Sequence, residues 1–161
     1  IIFGHNRKRL QIAKDMGADY AFHTDDVEDP VAEVMKITGG RGVDYAIEAA
    51  GSVKTYEQAF AMLRRGGVLS AFGITGEEDA MTMHPFDFVL GEKKVTGSCA
   101  GIGSDWPEAM RLISSGRIDP KPLFSMKVPL EDLDWALHAL REDKSLFKIF
   151  VSPEISKRET L

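Results

Sequence analysis

The chain has 161 residues, of which 43% are hydrophobic, with a net charge of -5 at pH 7 and one cysteine. This length and apolar content predict one globular domain with a sizeable core. Charges of both signs are interspersed, so no basic face is available to bind a nucleic acid. Cys99 can form no intrachain disulfide and has no Cys/His neighbours at zinc-binding spacing, which predicts a reducing, cytoplasmic setting. No signal peptide and no run of about 18 apolar residues occurs, so we expect no contact with a membrane.

Short apolar runs alternate with helical patterns along the chain. The predicted strands, in chain order, are residues 1–3, 20–22, 43–50 and 68–74, one through Val95 and Ser98, and 148–151. Apolar stripes at helical spacing predict helices within 10–16, 31–35, 56–63, 106–113 and 133–140, and residues 86–90 form a further short segment. Asp29 followed by Pro30 is typical of a helix cap and first helical position. We expect the polar tail, residues 154–161, to be frayed.

This alternation predicts an α/β fold with a doubly wound parallel sheet. Ligands of such folds bind beyond the carboxyl ends of the strands, which here correspond to loops 4–7, 23–26, 49–52, 73–76 and 100–104. Four of the five loops contain glycine, which lets the backbone approach a ligand closely but is also common in plain turns. Because the fold accommodates many functions, the pattern alone leaves nucleotide binding open.

Five segments resemble a known family in their order and spacing. They are RLQIAKDMGADY at 9–20, TGGRGVDYAIEAAGS at 38–52, LRRGGVLSAFGI at 63–74, KKVTGSCAG at 93–101 and SGRIDPKPL at 115–123. Together they resemble the nucleotide-binding domain of zinc-dependent medium-chain alcohol and polyol dehydrogenases, the group that includes sorbitol and threonine dehydrogenases. The resemblance implies that residues 1–161 form a partial Rossmann-like dinucleotide-binding domain with a C-terminal strand and helix segment. It implies that the complete protein transfers a hydride between NADP and an alcohol or polyol.

Two parts of the family pattern are missing from the chain. The first strand and its GxGxxG turn, which receives the pyrophosphate, occur nowhere in the sequence. The domain that holds the catalytic zinc is absent too, so we expect zinc only in that missing domain and no activity from this chain alone. The missing strand belongs between strands 1–3 and 43–50, and its absence leaves two ladders of backbone groups open. We therefore expect the chain to order only with a complementing strand, from a missing N-terminal segment or from a partner.

The loop after the first strand is the most informative for the choice of cofactor. In NAD-dependent relatives an acidic residue ends the corresponding strand and binds the ribose 2′-hydroxyl, and the resemblance places Gly4 at that position. His5 and Asn6 follow, and then Arg7 and Arg9 in the first turn of a helix. Arginine binds a 2′-phosphate through charge-assisted hydrogen bonds, and its charge opposes the helix dipole unless an anion is present. The sequence therefore predicts NADP, with NAD as the alternative cofactor and a plain solvated helix face as the alternative for the arginines.

The resemblance also implies cofactor contacts in the later loops. Ala50, Gly51 and Ser52 border the ribose, Phe72, Gly73 and Ile74 flank the nicotinamide, Ser98, Cys99 and Ala100 meet its carboxamide, and Lys148 contacts the pyrophosphate. Plain turns, and an ordinary exposed lysine, are the alternatives. We predict no catalytic residue and no metal ligand within the chain, because none of its histidines pairs with an acidic or nucleophilic neighbour in a known motif.

The resemblance implies a homodimer or homotetramer, formed edge to edge through the strand containing Val95 and Ser98. Two alternative functions stay open: a zinc-free reductase similar to quinone reductases, and a nucleotide-binding or assembly module without activity. The chain does not identify the alcohol or polyol substrate, because the pocket walls in this family come mainly from the missing domain. Trp106 and Trp135 fall on apolar helical stripes, which predicts core positions for both.

Overall fold

Strands and helices alternate through most of the chain, and the computed structural model describes all 161 residues. The strands are β1 Ile2–Gly4, β2 Ala21–His23, β3 Val43–Glu48, β4 Leu63–Ala71, β5 Lys94–Gly97, β6 Phe124–Pro129, β7 Lys148–Ser152 and β8 Glu159–Thr160. The helices are α1 Arg7–Asp15, α2 Pro30–Ile37, α3 Val53–Ala61, α4 Pro85–Leu90, α5 Asp105–Ser114 and α6 Leu133–Glu142. None of these helices combines the length and the apolar composition that a membrane crossing requires.

The chain divides into two compact units. The first comprises Ile1–His5 and Phe22–Ala100, and the second comprises Asn6–Ala21 and Gly101–Leu161. Strands β3, β4 and β5 belong to the first unit, whereas β6, β7 and β8 belong to the second. Each unit therefore has a sheet of its own.

The first unit is built on a parallel sheet in the order β3-β4-β5. Val43 lies opposite Leu63, and after an irregularity the register continues from Tyr45 opposite Val68. Strands β1 and β2 form a separate two-stranded sheet that shares no strand pairing with β3. The predicted parallel α/β organisation is thus confirmed. Strands β1 and β3, between which the sequence predicts a missing strand, each keep one edge unpaired.

The core of the first unit lies between α3 and β4. Phe60 on α3 is buried against Leu63 and Leu69, and Leu69 is fully inaccessible to solvent. The rings of Phe60 and Phe88 stack with their centroids 6.0 Å apart, which joins α4 to the same core. Burial of these large side chains is the main stabilising contribution to this unit.

Helix α2 begins where the sequence predicts. The side chain of Asp29 accepts hydrogen bonds from the backbone amides of Val31 at 2.9 Å and Ala32 at 3.0 Å, and Pro30 takes the first helical position. These two amides have no carbonyl partner within the helix, so the carboxylate satisfies donors that would otherwise need water. Local sequence chemistry therefore sets this boundary.

An ion cluster lies at the amino end of β3. Asp44 accepts two hydrogen bonds from Arg41, at 3.1 and 2.7 Å, and one from Arg64 at 2.5 Å. Arg64 lies in the irregular part of the β3–β4 pairing, so the cluster fastens this part of β4 to β3. Hydrogen bonds and charge from the two guanidinium groups lower the pKa of Asp44 from 3.8 to about 2.

The second unit contains a mixed sheet in the order β7-β6-β8, and neither β6 nor β8 was predicted. Strand β6 pairs with β7 in parallel and with β8 antiparallel. Phe124, Met126 and Val128 alternate with Ser125 and Lys127, which is the pattern of a strand with two different faces. Helix α6 packs against β6 and β7.

The C-terminal tail is paired with the sheet, so the prediction of a frayed tail was wrong. Thr160 lies opposite Met126 in the antiparallel ladder. Arg158 donates two hydrogen bonds to Asp132, at 2.7 and 3.1 Å, and its guanidinium carbon lies 3.6 Å from the ring centre of Trp135. The polar composition of the tail does not predict this pairing, because the pairing depends on a carboxylate and an aromatic ring elsewhere in the chain.

The apolar stripe of α5 is exposed, so the predicted core position of Trp106 was wrong. Trp106 is 66% exposed, and its indole donates a hydrogen bond to the carbonyl of Gly101 at 2.9 Å. Met110 and Ile113 on the same stripe are exposed as well. Trp135 is half-buried beneath Arg158. The periodicity identifies the apolar face of a helix, but what packs on that face depends on tertiary structure.

Asp44→Asn should lower the thermal stability of the protein at neutral pH, by an amount that disappears in acid. The folded-state pKa is depressed, so the stabilisation is present above the unfolded value of 3.8 and is lost as the pH falls towards 2. Circular dichroism melting curves across this range measure the difference, with the variant and the wild type both made in the full-length protein that contains this chain. Glu154→Gln, which neutralises an exposed carboxylate outside the ion pairs, is the matched control. If Asp44→Asn lowered the melting temperature by the same amount at neutral pH and near pH 2, the stabilising role of the ion cluster would be contradicted.

The isolated 161-residue chain, as a monomer, should melt without a cooperative transition. The open edges of β1 and β3 leave backbone donors and acceptors without strand partners, and each such group costs about 1 to 3 kcal/mol when it is buried. Calorimetry on material shown to be monomeric by light scattering tests this expectation. A single sharp transition would show that the two edges need no complementing strand.

Candidate functional site

The candidate site lies at the carboxyl ends of β3 and β4 in the first unit. Parallel strands end at the same edge of their sheet, so the turn after β3 and the turn after β4 emerge side by side. The backbone carbonyl of Glu48 accepts hydrogen bonds from the amides of Phe72 at 3.0 Å and Gly73 at 2.8 Å. We call residues 49–52 the β3 turn and residues 72–74 the β4 turn. The structure therefore brings together two of the predicted cofactor-binding loops.

The side chain of Glu48 is buried and holds the β3 turn. Glu48 is 3% exposed, and its carboxylate accepts hydrogen bonds from the amides of Ala50 at 2.8 Å and Gly51 at 3.0 Å. The hydroxyl of Thr55 donates to the same oxygen at 2.8 Å. A carboxylate removed from water is costly unless donors replace the water, and here the turn and the first turn of α3 supply them.

Two glycines let the backbones of the β3 and β4 turns touch. A Cβ on Gly51 would lie 2.4 Å from the carbonyl oxygen of Ile74, and Gly51 has a φ of +74°. A Cβ on Gly73 would lie 2.4 Å from both the carboxylate of Glu48 and the amide nitrogen of Gly51. Neither position has room for a side chain. Glycine at these two positions is thus required by the contact between the turns themselves.

Tyr56 ties α3 to the β4 turn. Its hydroxyl donates a hydrogen bond to the carbonyl of Gly73 at 2.6 Å. Desolvation, followed by the negative charge of Glu48, raises the pKa of Tyr56 above its ordinary value. The phenol therefore keeps its proton and remains a donor at neutral and moderately alkaline pH.

Sequence reasoning missed Glu48, Thr55 and Tyr56. The available signal was the acidic residue that ends β3 directly after Ala46 and Ile47, since a carboxylate at a strand end requires nearby donors.

The solvent-facing surface of the two turns is small and apolar. Phe72 is 55% exposed and Ile74 is 85% exposed, and Ala50 is exposed beside them. Ser52 caps α3 by accepting a hydrogen bond from the amide of Thr55 at 3.3 Å. Exposed apolar side chains next to tightly fixed backbone suit contact with the face of a flat ring such as a nicotinamide. The predicted roles of these residues in cofactor binding stay predictions.

The strand next to β4 continues the same edge. The amide of Ser98 donates to the carbonyl of Ala71 at 2.9 Å, so Ser98 extends the pairing beyond β5. Cys99 is exposed and free. Ala100 has a φ of +54°, an unfavourable value for a residue with a side chain. These three predicted residues thus follow the strand adjacent to the β4 turn.

The loop after β1 is fastened to the turn after β2. The Nδ1 atom of His23 accepts a hydrogen bond from the amide of Asp25 at 3.3 Å, so the ring proton is on Nε2, which donates to the carbonyl of His5 at 2.9 Å. The hydroxyl of Thr24 lies 2.5 Å from Nδ1 of His5. Gly4 ends β1 directly before this loop and brings no carboxylate to it.

In the second unit, Asn6 and Arg9 make contacts within the protein. Asn6 caps α1 by accepting a hydrogen bond from the amide of Arg9 at 3.1 Å, and its side-chain nitrogen donates to the carbonyl of Lys144 at 2.7 Å. The guanidinium of Arg9 donates to the carbonyl of Leu146 at 3.5 Å and lies 4.9 Å from the ring centre of Phe147. Both residues therefore have structural partners, and their predicted roles in cofactor binding stay predictions.

Arg7 and Lys148 are exposed residues at the ends of elements in the second unit. Arg7 is the first residue of α1, whose first turn contains no acidic side chain. Lys148 begins β7, opposite Phe124. Their predicted contacts with phosphate stay predictions.

No group of three or more His, Cys, Asp or Glu side chains in the chain is placed to hold a metal ion. A zinc ion does not fit these residues.

The sequence and the structure both match known dehydrogenases. The model of a family described as zinc-binding dehydrogenase matches residues 1–115. The chain belongs to the zinc-binding dehydrogenase family. An alcohol dehydrogenase of Cupriavidus necator is 36% identical over 150 residues, which cover 92% of this chain and 41% of that protein. The D-arabinose 1-dehydrogenase (NADP(+)) of Saccharolobus solfataricus is 30% identical over 139 residues, which cover 86% of this chain and 38% of that protein.

A solved structure confirms the fold class. The crystal structure of 2R,3R-butanediol dehydrogenase from Bacillus subtilis superimposes with a TM-score of 0.81 at 29% sequence identity, covering 94% of this chain and 43% of that one. The resemblance to zinc-binding dehydrogenases inferred from five segments is thus confirmed. The chain spans about two fifths of the length of the relatives it matches.

Gly73→Ala should destabilise the protein by about 1 to 3 kcal/mol, the usual cost of overpacking. The added methyl group would collide with the carboxylate of Glu48 and with the backbone of Gly51. Urea unfolding midpoints, measured in the full-length protein that contains this chain, show the effect. Gly97→Ala is the matched control, because a Cβ on Gly97 in β5 meets nothing within 4 Å. Equal midpoints for the two variants would show that the turns do not touch as described.

Proposed function

We propose that this chain is the cofactor-binding part of an oxidoreductase that transfers a hydride between NADP and a small alcohol or polyol. The observation that carries the proposal is the contact between the β3 and β4 turns, with the apolar side chains of Phe72 and Ile74 exposed beside it. Membership of the zinc-binding dehydrogenase family supports it. The relatives described above, an alcohol dehydrogenase and a D-arabinose 1-dehydrogenase (NADP(+)), support it as well.

The residues of this chain bind and orient the cofactor. Ala50, Gly51 and Ser52 border its ribose, and the β4 turn with Ser98, Cys99 and Ala100 lies beside the nicotinamide and its carboxamide. Phe72 and Ile74 cover one face of the ring and keep water from it. When bound, the nicotinamide supplies or accepts the hydride, and a zinc ion in a domain outside these 161 residues polarises the oxygen of the alcohol.

The first loop favours NADP over NAD. Gly4 brings no carboxylate that would bind a ribose 2′-hydroxyl or repel a 2′-phosphate. Arg7 is an exposed cation at the first residue of α1, and a guanidinium can bind a 2′-phosphate through charge-assisted hydrogen bonds. His5 and Asn6 shape the loop through the hydrogen bonds already described. Arg9 and Lys148 of the second unit remain candidate contacts, Arg9 for the 2′-phosphate and Lys148 for the pyrophosphate.

The same proposal covers assembly and location. Strand β5 is an edge strand, and all four of its residues are exposed, which supports pairing with a second copy in a homodimer or homotetramer. The unpaired edges of β1 and β3 support a complementing strand from outside the chain. The single exposed cysteine agrees with a cytoplasmic setting.

Gly4→Asp should reverse the cofactor preference of the protein that contains this chain. We expect the wild-type protein to oxidise alcohols or polyols with NADP. The absorbance of the reduced cofactor measures the rate. The new carboxylate should raise KM for NADP by about tenfold or more through like-charge repulsion and lower KM for NAD. Gly4→Asn has nearly the same shape without the charge, so it should keep the preference for NADP.

Three other results would contradict parts of the proposal. An unchanged preference in Gly4→Asp would remove the assignment of the first loop. Oxidation of alcohols that survives metal chelation would favour the zinc-free reductase. Binding of NADPH with no turnover of any alcohol would favour a module without activity.

A further inference from the structure

Glu48, which is 3% exposed, and Thr55 and Tyr56, which are half-buried, connect the β3 and β4 turns by hydrogen bonds. We infer that these three are positioning residues, which fix the spacing of the two turns and thereby the affinity for the nicotinamide half of the cofactor. This inference rests on the proposed function, because it concerns the same turns.

Glu48 acts on both turns through different groups. Its carboxylate holds the amides of Ala50 and Gly51 in the β3 turn, whereas its backbone carbonyl holds the amides of Phe72 and Gly73 in the β4 turn. A shift of this one residue therefore displaces both turns. Because Glu48 is 3% exposed, its effect on a ligand passes through the turns.

Thr55 supplies the donor that fixes the rotamer of Glu48. The Thr55 hydroxyl is within hydrogen-bond distance of the Glu48 carboxylate at 2.8 Å and of the Ser52 carbonyl at 2.9 Å. A hydroxyl has one proton, and a carboxylate is the stronger acceptor, so the proton goes to Glu48. The Ser52 hydroxyl, 2.8 Å from that of Thr55, then donates to Thr55. The β3 turn and the first turn of α3 thus form one connected network.

Tyr56 closes the network on the β4 turn. It follows Thr55 on α3, and its hydroxyl donates to the carbonyl of Gly73 at 2.6 Å. Gly73 is thus held on both sides, by Tyr56 at its carbonyl and by Glu48 at its amide. Since Phe72 and Ile74 flank Gly73, this bond sets where the exposed apolar side chains lie.

Binding of two probes separates positioning from general stability. The probes are NADPH and adenosine 2′,5′-bisphosphate, which contains only the adenosine half, and the full-length protein that contains this chain is used. Thr55→Val and Tyr56→Phe each remove one hydroxyl and should weaken NADPH binding by roughly threefold to tenfold, because the lost hydrogen bond reaches the ligand only through the turns. Both variants should bind the bisphosphate like the wild type. Thr55→Ser keeps the hydroxyl and should restore NADPH binding.

Thr38→Val is the matched control. The Thr38 hydroxyl is half-buried, donates to the carbonyl of Val34 at 2.8 Å and accepts from the amide of Gly42 at 3.0 Å, at the end of α2. Thr38→Val should lower the melting temperature and leave the dissociation constants of NADPH and of the bisphosphate unchanged. The inference is overturned if Thr55→Val weakens both probes equally, or if Thr38→Val weakens NADPH binding as much. A wild-type protein that binds neither probe would overturn the proposed function, and this inference with it.

Discussion

The geometry of the candidate site depends on the need to satisfy one buried carboxylate. Glu48 is the last residue of β3, and most residues near it in the strand are apolar. Its side chain is almost inaccessible to water. The backbone of the β3 turn and the hydroxyl of Thr55 supply the donors that water would have given. Because those donors sit on two different segments, satisfying the charge also fixes the segments. The glycines at 51 and 73 then allow the neighbouring turn to approach to contact distance.

Much of the fold could be predicted because its signals are local. Asp29 and Pro30 determine the start of α2 through bonds made within four residues, and the parallel strands follow from alternation along the chain. Strand β6 was not predicted, although Phe124, Met126 and Val128 alternate with polar residues, because so short an alternating run is a weak signal by itself. The paired tail and the exposed Trp106 were missed for a different reason: burial is decided by distant partners, which local spacing does not contain.

The sequence predicts the site as a set of separate loops, and the structure shows the hydrogen bonds and backbone contacts that join two of them. The topology of a parallel sheet was enough to expect the β3 and β4 turns side by side, and they are in contact. Sequence alone could not show that Asn6 is a helix cap or that Arg9 lies against Phe147, because those roles involve residues about 140 positions away. Nor could it show Tyr56 as a donor to Gly73, since the helical stripe predicts only that its ring faces the core.

Strand β3 has an acidic residue at each end, and the two differ in how they are neutralised. Asp44 is about two-fifths exposed and is held by guanidinium groups, whereas Glu48 is enclosed and held by backbone amides. Dissolved salt screens exposed charges at a distance of about 8 Å under physiological conditions, and it has little access to enclosed ones. Ionic strength therefore acts unequally along this single strand. In concentrated salt we expect the amino end to loosen while the carboxyl end keeps its shape.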